Sequence, residues 1–201
     1  MSTSVSGSAR ITAAIRAANA DGRAALIPYA VAGYPDADTS FEIALAQIDA
    51  GGDLLEVGLP YSDPLADGAT LQRASAVALA NGAALDDSIA LVARIHAARP
   101  QTPLVAMGYV NQVLGGRDGE TVLRRLGEAG VSGLILADLT PDEGAELEAE
   151  AAGFGIGIVY LVAPTTPVGR IPFVASRSRG FLYAVSLAGV TGARTSLPPG
   201  V

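Results

Sequence analysis

The chain has 201 residues, half of them apolar and 16% charged, with a net charge of −7. Its pI is near 4.6 and its mean hydropathy is +0.38, which exclude wholesale disorder and give the wrong sign for a phosphate-backbone binder. No cysteine and no lysine occur, and the single histidine is His96. These absences exclude thiol nucleophiles, iron–sulfur clusters, thiolate zinc sites, disulfides, Schiff-base catalysis and multi-histidine metal sites. Carboxylates remain as the proton carriers of any enzymatic chemistry. No run approaches the ~18 apolar residues of a membrane span, and the N-terminal stretch lacks an apolar leader core. The expectation is one cytoplasmic domain over residues 1–201.

Apolar runs of strand length alternate with segments of helical period. Ile11, Ala14, Ile15 and Ala18 mark a first helix, and Ala25–Ala32 reads as the first strand. Thr39-Ser40-Phe41-Glu42 has the form of a capping box for a helix that carries Phe41, Leu45 and Ile48 on one face and stops at Gly51. Leu54–Gly58 is the second strand; helices over Leu71–Leu79 and Asp86–Ala98 follow it. Pro103–Met107 is the third strand, and a helix over Glu120–Ala129 stops at Gly130. Gly133–Ala137 is the fourth strand, followed by a Glu-rich helix over Asp142–Ala152. Ile156–Val162 is the fifth, with a poorer helix near Arg170–Ala175 that tolerates Pro172 only in its first turn. Phe181–Ser186 is the sixth.

Six strands separated by helices predict right-handed βαβ units and a parallel sheet buried on both faces. The junction after the first strand, AVAGYPDADT, has no glycine fingerprint for a dinucleotide, so a (β/α)₈ TIM barrel is the better fit, with only about the first six βα units present. Polar residues collect after the strands: Glu56 and Asp67, Tyr109 and Asn111, Asp138, Thr165 and Thr166, Thr191 and Gly192. That C-terminal edge is where such sheets build their sites.

Leu54 to Gly68 is the most informative segment. Glu56 lies within an apolar strand, where lost hydration raises a carboxylate's pKa toward that of a general acid/base working near neutrality. The Pro/Gly-rich loop then returns Asp67 to the same mouth. A dry carboxylate and a loop carboxylate can divide roles. By itself, a Glu at the place of Glu56 is more often a salt-bridged structural residue than a catalytic one, and Asp63 reads as a turn former before Pro64.

The stretch LLEVGLPYSDPLADGATLQRA resembles the signature of the tryptophan synthase alpha chain family. IPYAVAGYPD, Leu161–Pro167 and Ser186–Arg194 match in register, so the likeness runs from about Ile11 to Arg194. It implies a (β/α)₈ barrel lyase that cleaves indole-3-glycerol phosphate into indole and glyceraldehyde 3-phosphate. Glu56 is thereby identified with the family's catalytic glutamate and Asp67 with its catalytic aspartate. The resemblance further places Tyr29 on the indole and Tyr183 in the active site. Tyr109 and Asp138 fall near the indole pocket and the coupling to the partner, Thr191 on the mobile loop that engages the aspartate, and Gly192 at the phosphate. The implied partner is a beta chain, in an alpha2beta2-type assembly, which holds the pyridoxal phosphate; the alpha chain needs no cofactor. A stand-alone lyase that releases free indole and a non-catalytic regulator of the beta chain are the alternatives.

The composition agrees with that chemistry. A retro-aldol cleavage ordinarily uses a lysine Schiff base or a metal, whereas indole supplies its own electron sink once protonated at C3. His96, near a helix end, reads as structural or as a dipole contact. Glu143, Glu146, Glu148 and Glu150 read as a solvated face, and Arg177 and Arg179 lie at the barrel's N-terminal side. Asp138 is followed by Leu139-Thr140-Pro141, a departure from the family pattern. Ending at Val201, the chain is expected to lack two βα units with most of the phosphate-binding amides. As a 201-residue polypeptide it is expected to aggregate or to behave as a loose compact state, and to be inactive.

Overall fold

The computed structural model describes residues 6–115 and 118–185. Strands β1 (Tyr29–Val31), β2 (Leu55–Gly58), β3 (Leu104–Gly108), β4 (Val131–Leu136) and β5 (Gly157–Ile158) form one sheet in chain order; β6 (Leu161–Val162) pairs with β7 (Tyr183–Ala184). Every pairing is parallel. The helices between them are α1 (Gly7–Ala20), α2 (Ala37–Asp49), α3 (Ala69–Ala80), α4 (Leu85–Ala98), α5 (Val110–Leu114), α6 (Gly119–Glu128), α7 (Ala145–Gly153) and α8 (Ile171–Arg177).

The predicted fifth strand is present as two pieces, β5 and β6. Its beginning pairs with β4 and its end with β7. Between them Val159 N–H donates to Leu134 O (2.9 Å) and Tyr183 N–H to Tyr160 O (3.0 Å). The stagger of tilted barrel strands makes one strand meet its predecessor early and its successor late. Six barrel positions are therefore filled in order, as the alternation of runs predicts. Thr191, Gly192 and the rest of residues 186–201 lie outside the described residues.

Strand alternation divides the core into two layers. Leu54, Val105, Ile135 and Val159 point inward with Met107, Leu161, Phe181 and Tyr183 around them. Leu55, Val57, Leu104, Ala106, Leu134, Leu136 and Ile158 point outward onto the helices. Helix α1 closes the N-terminal end: fully buried Ile11 fills space left by Gly133 and Gly180, where a Cβ would collide with its side chain.

Several local expectations change. The cap of α2 is Asp36 rather than Thr39; its carboxylate accepts from Thr39 N (2.9 Å) and Thr39 Oγ1 (2.7 Å), so the helix starts as soon as the chain leaves Pro35. Helix α5 was not predicted. The helix after β6 opens with a 3₁₀ turn at Val168–Arg170, and Pro172 does fall in the first turn of α8. His96 packs against Gly130 with Nδ1 buried and unpartnered, and burial, aided by Arg10, lowers its pKa. A neutral, packed ring is the structural reading, not a charged contact with the helix dipole. Glu148 leaves the solvated face, accepting from Tyr160 Oη (2.7 Å) and from Arg177 Nε (3.0 Å).

Candidate active site

Glu56 enters the barrel interior because on β2 it alternates with outward-facing Leu55 and Val57, and the sheet register sets it level with Tyr29 on one side and Val105 on the other. It is 5% exposed, and among the described residues no donor reaches its carboxylate. Burial alone pushes its pKa up from 4.5 to about 7. A group poised there holds or releases a proton near neutrality with little bias.

Asp67 arrives from the loop between β2 and α3. Two turns set that loop, with Leu65 N–H bonded to Asp63 O (2.9 Å) and Asp67 N–H to Pro64 O (3.1 Å). Gln72 Nε2 of α3 ties it down at Asp67 O (3.0 Å). The Asp67 carboxylate is buried and accepts from Tyr109 Oη at 3.1 Å. Burial raises its pKa and the tyrosine bond opposes that rise. The two carboxylates thus occupy different environments: one dry and unpartnered, the other held by a phenol.

Tyrosines complete the enclosure. Burial raises the pKa of the Tyr29 hydroxyl, and the charges of Asp67 and Glu56 raise it further, as do Tyr109 and Tyr183. Tyr183, inward on β7, is raised by burial and then by Glu56. The fold therefore gathers Tyr29 of β1, Glu56 of β2, Asp67 of the loop after it, Tyr109 just past β3 and Tyr183 of β7. Asp138 stands outside this group: its Oδ1 accepts Val110 N–H (2.8 Å) at the start of α5. Thr166 also stands apart, accepting Ala163 N–H (2.9 Å) in a local turn.

Three residues had no predicted role. Tyr61 stacks on Tyr109, ring centroids 5.2 Å apart. Gln112 donates to Pro60 O (2.7 Å), and Gly58 leaves room for the Tyr29 hydroxyl. The one aromatic ring in the loop Leu59–Gly68 was the available signal for Tyr61.

A buried carboxylate near neutral pKa, a second carboxylate held for hydrogen bonding and a wall of aromatic rings suit proton transfer on an aromatic substrate. The profile of the tryptophan synthase alpha chain family matches residues 15–201. The alpha chain of Roseiflexus sp. (strain RS-1) is 48% identical over 183 residues, 90% of this chain and 69% of that one. The alpha chain of Deinococcus radiodurans is 46% identical over 188 residues, 94% of this chain and 68% of that one. Among solved structures, tryptophan synthase of Mycobacterium tuberculosis superposes with a TM-score of 0.85 at 40% identity, covering 92% of this chain and 71% of that one. Tryptophan synthase subunit alpha of Legionella pneumophila str. Paris gives 0.82 at 32%, covering 88% and 67%.

Proposed function

The chain belongs to the tryptophan synthase alpha chain family, and on that premise we propose that Glu56 and Asp67 carry the alpha reaction of tryptophan biosynthesis, the lyase cleavage of indole-3-glycerol phosphate to indole and glyceraldehyde 3-phosphate. The observation that carries the reading is Glu56, buried, unpartnered among the described residues and poised near neutrality inside an aromatic-lined barrel mouth.

Protonated Glu56 gives its proton to indole C3, forming an indolenine whose ring nitrogen holds the positive charge. The resulting carboxylate takes the proton of the side-chain hydroxyl next to C3. The C–C bond then breaks, its electrons return to the ring, and an aldehyde leaves as glyceraldehyde 3-phosphate. One group near neutral pKa both gives and receives, so it ends as it began. Asp67 accepts the ring N–H and favours the charge developing there. Tyr29 and Tyr183 enclose the ring, and Tyr109 holds Asp67. Thr191 and Gly192 are assigned to the aspartate and to the phosphate. No step passes through a cofactor; pyridoxal phosphate is assigned to a partner beta chain, and the chain has no lysine to attach it. Among the described residues no single helix is long and apolar enough to cross a membrane, and a cytoplasmic location is part of the proposal.

The test is release of indole and glyceraldehyde 3-phosphate in equal amounts from indole-3-glycerol phosphate. Glu56→Gln is expected to lower the rate by orders of magnitude. Retention of about a tenth of it, a change of about 1.4 kcal/mol, would reject Glu56 as the proton carrier.

A further inference from the structure

We propose that Tyr61 is a positioning residue for Asp67, acting as a clamp that fastens the loop after β2 to the start of α5. The proposal deepens the function proposed above and rests on Asp67 having a role there. The loop from Leu59 to Gly68 is long and carries two prolines and a glycine, and its Leu65 is 88% exposed. Left to itself such a loop would sample many positions. Four hydrogen bonds to the Tyr109–Gln112 segment hold it. Gln112 Nε2 donates to Pro60 O (2.7 Å), Asn111 Nδ2 donates to Tyr61 Oη (3.1 Å), and the Tyr109 hydroxyl accepts from Ala66 N–H (3.0 Å) while donating to Asp67 Oδ1 (3.1 Å).

Tyr61 joins that set at two points, its hydroxyl at Asn111 and its ring at Tyr109. Its ring lies against Tyr109 with the planes 28° apart, an offset stack of the kind worth about 0.5–1.5 kcal/mol. Tyr109 is 6% exposed and carries one hydroxyl hydrogen, so its aim decides whether Asp67 or another acceptor receives it. The stacked Tyr61 ring closes one side of Tyr109 and restricts that aim, and Asn111 in turn holds Tyr61 by its hydroxyl. The titratable groups facing this cluster are Tyr29, which feels Asp67, and Asp138, which acts on Tyr109. Neither donates to Asp67, so Tyr109 supplies the one side-chain bond to that carboxylate among the described residues.

The experiment compares Tyr61→Phe, which keeps the ring, with Tyr61→Leu, which removes the stack, in the full chain. Amide hydrogen exchange at Ala66 reads the Ala66–Tyr109 bond directly, whether or not the protein turns over substrate. In Tyr61→Leu, Ala66 exchange is expected to speed up and kcat to fall by about 3- to 10-fold, no more than in Tyr109→Phe, with a smaller change in KM, as misplacement of a reacting group requires. Losing the Tyr109 bond also removes the donor that favours ionised Asp67, so the acid limb of the kcat profile moves to higher pH. Tyr61→Phe retains most of the protection and rate, and Tyr109→Phe combined with Tyr61→Leu costs no more than Tyr109→Phe alone. Parental Ala66 exchange and an unmoved acid limb in Tyr61→Leu overturn the clamp, as does equal damage in Tyr61→Phe. If the parent protein does not cleave indole-3-glycerol phosphate, the proposed function fails while Ala66 exchange still decides the clamp.

Discussion

Gly58 and Tyr29 share one piece of space: a Cβ on Gly58 would overlap the Tyr29 hydroxyl and ring edge. Tyr29 opens β1 level with Glu56, and Gly58 closes the adjacent parallel strand β2 two residues further along. The missing side chain on β2 is what lets an aromatic ring from β1 lie across the mouth beside the two carboxylates. Gly58→Ala is therefore expected to displace Tyr29 and destabilise the protein by about 1–3 kcal/mol, the ordinary cost of overpacking, and to raise KM. In a Tyr29→Leu background the same change should cost little, because the colliding atoms are gone. Urea melts of the four proteins give the coupling, and additive losses would show that the overlap is relieved elsewhere.

Glu56 makes a second prediction, on stability and independent of activity. Its pKa is about 7 in the folded chain against 4.5 when unperturbed. Between those values the folded state binds more protons than the unfolded one, so stability falls as pH rises through that window and levels off above it. The full penalty above neutrality is about 3 kcal/mol. Glu56→Gln, neutral at every pH, should be the more stable protein at pH about 8, and the advantage should vanish near pH 4. Denaturant melts at the two pH values test it; a parent that gains stability with rising pH would mean that Glu56 finds a partner.

That carboxylate also shows where reading the sequence stops. The run Leu54–Gly58 is identifiable as a strand because it is continuous and apolar, but a parallel strand buried on both faces hides which face each side chain takes. Only the register to Tyr29 and Val105 puts Glu56 inside the barrel. Local signals located every strand and most helices. They misplaced the α2 cap, because Asp36 and Thr39 compete for it within three residues. The clamp at Tyr61 was beyond them, since its partners Tyr109 and Asn111 are 48 and 50 residues away and no periodicity links them. Asp67 was legible as a candidate by its place in the loop, whereas its bond to Tyr109 was not.

Asp67 faces a phenol and the enclosed mouth, away from any described cation. Asp67→Asn should cut kcat strongly and leave competition by glyceraldehyde 3-phosphate little changed, since the carboxylate is assigned to the ring N–H and not to the phosphate. Tyr109→Phe should do less to kcat, because Asp67 keeps its charge and loses only the bond that orients it; about 10-fold is the expected size. Inhibition constants measured beside turnover separate the two. A weakened phosphate ligand in Asp67→Asn would give the residue a different job.

The wall behind the fifth strand predicts a loss of stability without loss of chemistry. Tyr160 points outward between β5 and β6, and its hydroxyl meets Glu148 of α7. Arg177 of α8 donates Nε to both Glu148 oxygens, at 3.1 and 3.0 Å, and Nη2 lies 3.0 Å from Oε2. The side chains of Arg177 and Glu148 are only 29% and 17% exposed, so water cannot fully replace a lost partner. Arg177→Met strands the carboxylate and should cost about 2 kcal/mol, in the range for hydrogen bonds to a charged group. Arg177→Met combined with Glu148→Leu removes the stranded charge and should recover part of that loss. The cluster lies on the outer face, separated from Glu56 by the strand itself, so kcat/KM should hold in all variants that fold. Urea midpoints and initial rates on the same samples decide the matter: a double variant less stable than Arg177→Met would mean that Glu148 is satisfied by Tyr160 alone.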